Sequence, residues 1–162
     1  MNDDAPAIDT RAGWQAALRW GFETAIARGA RRITCVDAGF DTWPLDDPAL
    51  LPLLTAWLRL PQRRLVLLAR RYDEMPRRFA RFTAWRRDFA HAVEAWQAPE
   101  EMAAGLPSLL LDDGAISVQL IDDTHWRGRA EVDAAAATLW RERIDVVLQR
   151  SEPAFAVNTL GL

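Results

Sequence analysis

Lysine is missing from this 162-residue chain: all 20 of its basic residues are arginine. That excludes a Schiff-base lysine, a P-loop lysine and any Ser/Lys or His/Lys catalytic pair. An arginine-only basic set is also what a GC-rich coding bias produces. Cysteine is almost missing. Cys35 is alone, so one chain can form neither an internal disulfide nor a multi-thiolate metal site, and core packing is its expected role. Long apolar runs are missing too. The run from Leu65 to Ala69 is far too short to cross a bilayer, and Pro48, Pro52 and Pro61 interrupt the stretch before it, so no membrane insertion is expected. The start, Met-Asn-Asp-Asp-Ala-Pro, is acidic where an export signal needs positive charge, which makes the cytoplasm the expected compartment. No catalytic, cofactor or metal motif is recognisable, and neither a cofactor nor a metal is expected.

What is present fits one globular α/β domain over 1–162. Half of the residues are hydrophobic and 27% are charged, a balance that can bury a core and excludes a disordered chain. Eight tryptophans, several at helical spacing, are expected to anchor the core or an interface. The net charge of −3 hides a strong segregation. Residues 1–58 carry 5 arginines and 8 acids, residues 59–87 carry 10 arginines against Asp73 and Glu74, and residues 88–162 carry 5 arginines and 13 acids. The basic band could face an anionic partner, the acidic part of the same fold, or a second subunit.

Periodicity orders the elements. Trp14, Leu18, Phe22, Ala25 and Ile26 repeat at helical spacing behind the N-caps Asp9 and Thr10, with Gly29 as the C-terminal stop. Arg32 to Asp37 reads as a strand leading into the turn Ala38-Gly39-Phe40-Asp41. Asp47-Pro48 predicts the start of a second helix ending near Pro61, and Leu65 to Ala69 a strand covered on both faces. A helix is expected from Pro76 to His91, with Phe79, Phe82, Trp85 and Phe89 as its stripe, and then a strand over Ala92 to Trp96. Ser108 to Leu111 and Ile116 to Ile121 flank Asp112-Asp113-Gly114-Ala115, a hairpin signal. After the turn Asp122-Asp123-Thr124, a strand over Arg127 to Val132 leads to a helix capped by Asp133. Its Ala136, Leu139, Trp140, Ile144 and Val147 are expected in the core, and the tail after Pro153 is expected to be irregular. Together these predict a mixed β-sheet flanked by helices.

That element order resembles one half of a phospholipase D-like fold over nearly the whole chain. The family's signature is His-x-Lys, then four residues and an Asp, on a strand before a turn. Here Gly105-Leu106-Pro107-Ser108-Leu109-Leu110-Leu111-Asp112 occupies that place: Asp112 matches, Gly105 replaces the His and Pro107 replaces the Lys. Glycine and proline can neither attack phosphorus nor neutralise a phosphate, so the resemblance implies a catalytically empty member. The chain is also similar to poorly characterised proteobacterial domains of this type, some appended to acetyltransferases; Trp140 and the Arg150-Ser151-Glu152-Pro153 ending carry part of that likeness. Pairing of single halves in the family implies a homo-oligomer or another protein partner.

Three sets of residues are candidates for function. Asp37, Arg70 and Arg71 fall at the carboxyl ends of predicted strands, where open α/β sheets place ligands, and two arginines can grip a phosphate or carboxylate. Ordinary loop solvation and ion pairing explain them more simply, since polar residues at strand ends are routine. His125, beside Asp122 and Asp123, could complete an acid/base or metal fragment with that set, although Asp-Asp-Thr is turn chemistry. His91 closes the arginine-rich helix, where it can face the dipole without a catalytic role. Asp112 and Asp113 read as a hairpin rather than a carboxylate dyad, because adjacent strand residues point to opposite faces. Finally, Arg77, Arg78, Arg81, Arg86 and Arg87 could form an anion or partner surface, but on one ideal helix they spread around the circumference, which disfavours a nucleic-acid groove binder. The functional expectation is a non-catalytic binding or regulatory domain. The alternatives are an enzyme acting on an anionic small molecule at the strand ends, and nucleic-acid binding by the arginine band.

Overall fold

Residues 4–156 are described by a computed structural model. A seven-stranded mixed sheet runs in the order β6-β5-β4-β1-β2-β3-β7. The three central strands β1 (Arg32–Asp37), β2 (Arg64–Ala69) and β3 (Val93–Gln97) are parallel. The hairpin β4 (Ser108–Asp112) and β5 (Ile116–Asp122), then β6 (Arg127–Val132), continue antiparallel from β1. On the far edge, β7 (Glu152–Pro153) pairs antiparallel with β3.

Successive side chains of a strand alternate between faces, so each central strand feeds two cores. Ile33, Cys35, Leu65, Leu67 and Leu110 face the larger one with Trp14, Leu18 and Phe22 of α1 (Arg11–Ala27), Leu54 and Trp57 of α2 (Leu50–Leu58) and Phe82 of α4 (Ala80–Asp88). Val36, Leu68, Leu109 and Leu111 face the smaller one with Ile144 of α6 (Ala134–Gln149), against which Trp140 and Val147 pack half-buried. Burying side chains of this size contributes about 1.5–3 kcal/mol each. The Cys35 thiol lies in the larger core, where burial pushes its pKa up and leaves it inert. Among the described residues no helix is long and apolar enough to cross a membrane.

Local signals act as the sequence indicates at α1 and α6. The Thr10 hydroxyl accepts from the Gly13 amide at 2.9 Å, and Gly29 takes the left-handed φ of 82° that ends α1. Asp133 accepts from the amides of Ala135 and Ala136. Elsewhere the structure corrects the expectation. Asp47 caps a turn, accepting from the Ala49 amide at 2.8 Å, and α2 begins only at Leu50. The helix expected from Pro76 to His91 is two: α3 (Met75–Arg78) and α4, broken at Phe79 with φ −127° and ψ 67°. The break has a tertiary cause. Asp46, from the loop before α2, accepts from the amides of Arg81 and Phe82, so the first turn of α4 is capped by a residue far away in sequence. His91 accordingly sits in the turn before β3, not at a helix end. On α6 the buried line runs through Ala137 and Ile144, leaving Leu139 59% exposed. Glu152 and Pro153 form a short strand, 154–156 carry no regular element, and the rest of the tail expected to be irregular lies outside the described residues.

Candidate functional site

β1, β2 and β3 end side by side at one edge of the sheet, with Asp37 opposite Ala69 and Ala69 opposite Gln97. The loop leaving β1 is held by Asp37 itself. One carboxylate oxygen accepts from the amides of Gly39 (3.1 Å) and Phe40 (2.7 Å), and the other accepts from the Ser108 hydroxyl at the start of β4. Asp37 is 8% exposed, so its lone pairs are spent on holding the loop. The loop in turn positions the arginines, because the backbone amides of Arg70 and Arg71 both donate to the Ala38 carbonyl, at 3.1 and 3.2 Å.

The side chains of Arg70 and Arg71 are exposed and make no hydrogen bond or ion pair among the described residues. They line a cleft of about 340 Å³ with Gln97, Ala98 and Glu100. Arg71 also borders a neighbouring hollow of about 290 Å³ with Gly39, Asp41 and Glu74. Glu74 is held below the usual carboxylate range, first by its hydrogen bond and charge contact with Arg77, with Arg78 and Arg71 adding to the effect. The edge offers two guanidinium forks to an anion and no nucleophile activated by a histidine.

His125 does not join this group. It sits in the exposed β5–β6 turn, where its Nδ1 meets Asp122 Oδ2 at 2.8 Å and its amide donates to Asp122 Oδ1. β5 is separated from β2 by β4 and β1, three strand spacings or about 14 Å. The hydrogen bond from His125 holds the Asp122 carboxyl below its ordinary range. The four residues Asp37, Arg70, Arg71 and His125 therefore do not converge on one substrate atom. Among the described residues there is no cluster of three side chains able to hold a metal.

At the place the resemblance marks, Gly105 follows the short helix α5 (Glu100–Ala103), Pro107 precedes β4, and only Asp112 lies on a strand. Asp112 accepts from the amides of Gly114 and Ile116, both at 2.9 Å, and closes the hairpin. Burial raises its pKa against the lowering effect of those two bonds.

The arginine band divides. Arg77 pairs with Glu74 and Arg78 with Asp41. Arg81 and Arg87 are exposed, with no ion pair among the described residues. Arg86, grouped with the surface arginines on sequence grounds, is instead buried at 6% exposure. Its Cζ lies 4.3 Å from the Phe155 ring centroid, and that ring stacks on Tyr72 at 5.3 Å and 4°. Tyr72 donates its hydroxyl to the Trp96 carbonyl at 2.7 Å. Tyr72 and Phe155 were not among the candidates. The only available signal was that Tyr72 is the sole tyrosine and directly follows Arg71.

The chain matches no family model and no curated relative. Among solved structures it is similar to TrmBL2, an archaeal chromatin protein described as showing a novel mode of DNA binding, with a TM-score of 0.57 and 12% identity. The match covers 87% of this chain and 51% of that one, so this chain corresponds to about half of its length. At that identity the likeness carries the fold, an α/β sheet flanked by helices.

Proposed function

We propose that this domain is a non-catalytic binding module of degenerate phospholipase D-like architecture that recognises an anionic group at the carboxyl edge of its sheet. The observation behind it is the pair Arg70 and Arg71, exposed, in no ion pair among the described residues, and fixed through their backbone to the Ala38 carbonyl. Gly105 and Pro107, where the resembling family has its His and Lys, supply no phosphodiester chemistry. Calorimetric titration with pyrophosphate is expected to give saturable binding that the double variant Arg70→Ala/Arg71→Ala weakens at least tenfold. Hydrolysis of bis-p-nitrophenyl phosphate is expected to stay at the buffer rate. Turnover abolished by one substitution would sink the non-catalytic reading, and pyrophosphate binding indifferent to the double variant would sink the site. The resemblance also implies pairing of two copies, and a sedimentation series that finds only monomer removes that part.

A second reading is supported by the fold shared with a chromatin protein and by four exposed arginines, Arg70, Arg71, Arg81 and Arg87. If all four met phosphates of a duplex, log K against log salt would have a slope of about −3.6. Anisotropy of a labelled duplex over a salt series measures it. Absent or salt-insensitive binding leaves only the small-anion reading.

A further inference from the structure

We propose that the cleft bounded by Tyr72, Arg86 and Phe155 is a binding site for a small organic anion, a carboxylate or phosphate carried on an apolar body. The cleft measures about 390 Å³, and Pro76, Asp73 and Arg87 are among the other residues that line it. It shares no lining residue with the Arg70–Arg71 cleft, so this inference stands apart from the function proposed above.

The central fact is an uncompensated cation. Arg86 lies on the inner side of α4, and its guanidinium has neither a hydrogen bond nor an ion pair among the described residues. Its Nε is fully buried and unpartnered. A guanidinium carries five N–H donors in a fixed fork, and buried polar groups are nearly always satisfied. The face of Phe155 compensates part of the charge, but an aromatic face accepts no in-plane N–H bonds. Desolvation lowers the pKa of Arg86, with Tyr72 opposing, as expected for a cation lacking a counter-charge.

The surroundings say what would satisfy it. Among the described residues Asp73 is the one carboxylate lining the cleft, and it forms no ion pair with Arg86 or Arg87, so the balance among them stays positive. The stacked rings of Tyr72 and Phe155 give the cleft a flat apolar wall. Phe155 holds a left-handed φ of 51°, unfavourable for a bulky residue, while its ring contacts both Tyr72 and the Arg86 guanidinium. A fork that seeks two acceptor oxygens beside an aromatic wall fits an acid head group on an apolar or aromatic body.

The test titrates the full chain with phenyl phosphate, phenylacetate and inorganic phosphate by calorimetry. At least one aromatic anion is expected to bind at least tenfold more tightly than inorganic phosphate, and the tighter of the two identifies the head group. Arg86→Met, which keeps the packed stem, is expected to weaken that binding at least tenfold without lowering Tm, while Arg70→Ala/Arg71→Ala leaves it unchanged. Should Arg86→Met not fold, the Arg86 Nε–Hε resonance of the native chain decides: it is expected to shift with saturation of the aromatic anion. Failure of both aromatic anions to bind, binding indifferent to Arg86→Met, or an unmoved resonance under saturating probe overturns the proposal.

Discussion

Asp37 stands among the candidate site residues, yet its geometry assigns it a structural task that substitution can measure. In Asp37→Ala the buried amide of Phe40 loses a 2.7 Å bond to a carboxylate, the Gly39 amide loses a 3.1 Å bond, and the Ser108 hydroxyl loses its acceptor. A hydrogen bond to a charged group contributes about 1.5–3 kcal/mol, and only the partly exposed Gly39 amide readily regains water. Phe40 adds to the cost, because its φ of 64° is unfavourable for a bulky side chain and depends on that carboxylate. A loss of about 3 kcal/mol is expected, which for a domain of this size lowers Tm by roughly 6–12 °C. Asp37→Asn keeps an oxygen for the two amides and presents its NH2 to Ser108 Oγ, so it is expected to lie within about 1 kcal/mol of the parent. Urea unfolding followed by the fluorescence of buried Trp14 and Trp43 reads both variants. If Asp37→Ala costs less than about 0.5 kcal/mol, or Asp37→Asn costs as much as Asp37→Ala, the carboxylate is not the clamp described.

Two further expectations follow from burial. A Cβ at Gly128 would meet the Gln119 carbonyl oxygen at 2.4 Å and Ile8 Cδ1 at 3.1 Å, so Gly128→Ala is expected to cost about 2 kcal/mol by forcing β6 away from β5. Gly105→Ala, with only the Met102 carbonyl at 3.8 Å, is its control and is expected to change stability little in the same urea titration. For Asp112, burial raises the folded pKa above the unfolded value. The folded chain therefore keeps this proton where the unfolded chain has released it. The resulting stability is fully present below the unfolded value of about 4 and is lost as pH rises through the folded pKa. Asp112→Asn, which retains an acceptor for Gly114 and Ile116, is expected to match or exceed the parent by about 0.5–1 kcal/mol at pH 7. That difference should close as pH falls to about 4, and a difference independent of pH would refute the charge argument.

The strands were legible because their signal is local. A run of branched apolar residues such as Leu65 to Ala69 reads the same whichever neighbours it acquires, and Asp112-Asp113-Gly114-Ala115 contains its own turn chemistry. The caps at Thr10 and Asp133 lie within three residues of the amides they serve. What could not be read is whatever a distant segment decides. The split between α3 and α4 depends on Asp46, more than 30 residues earlier. Leu139 carries an apolar side chain at a plausible helical phase, but α6 packs along Ala137 and Ile144 instead. The proposed grouping of His125 with Arg70 failed because sequence order does not reveal that two strands insert between β5 and β2.

The arginine band shows the same limit in electrostatic form. As a string, residues 59–87 carry a charge of +8. Folding neutralises part of it locally, through Arg64 with Glu94 at 3.5 Å, Arg77 with Glu74 and Arg78 with Asp41. What remains is two unlike populations. Arg70 and Arg71 project into water, where the dielectric is high and ions screen beyond about 8 Å at physiological salt. Arg86 sits where the effective dielectric is lower, with its Nε already out of water. An anion held at the sheet edge should accordingly be displaced by salt, whereas one held by Arg86 should resist it. Salt dependence thus separates the two sites without any substitution.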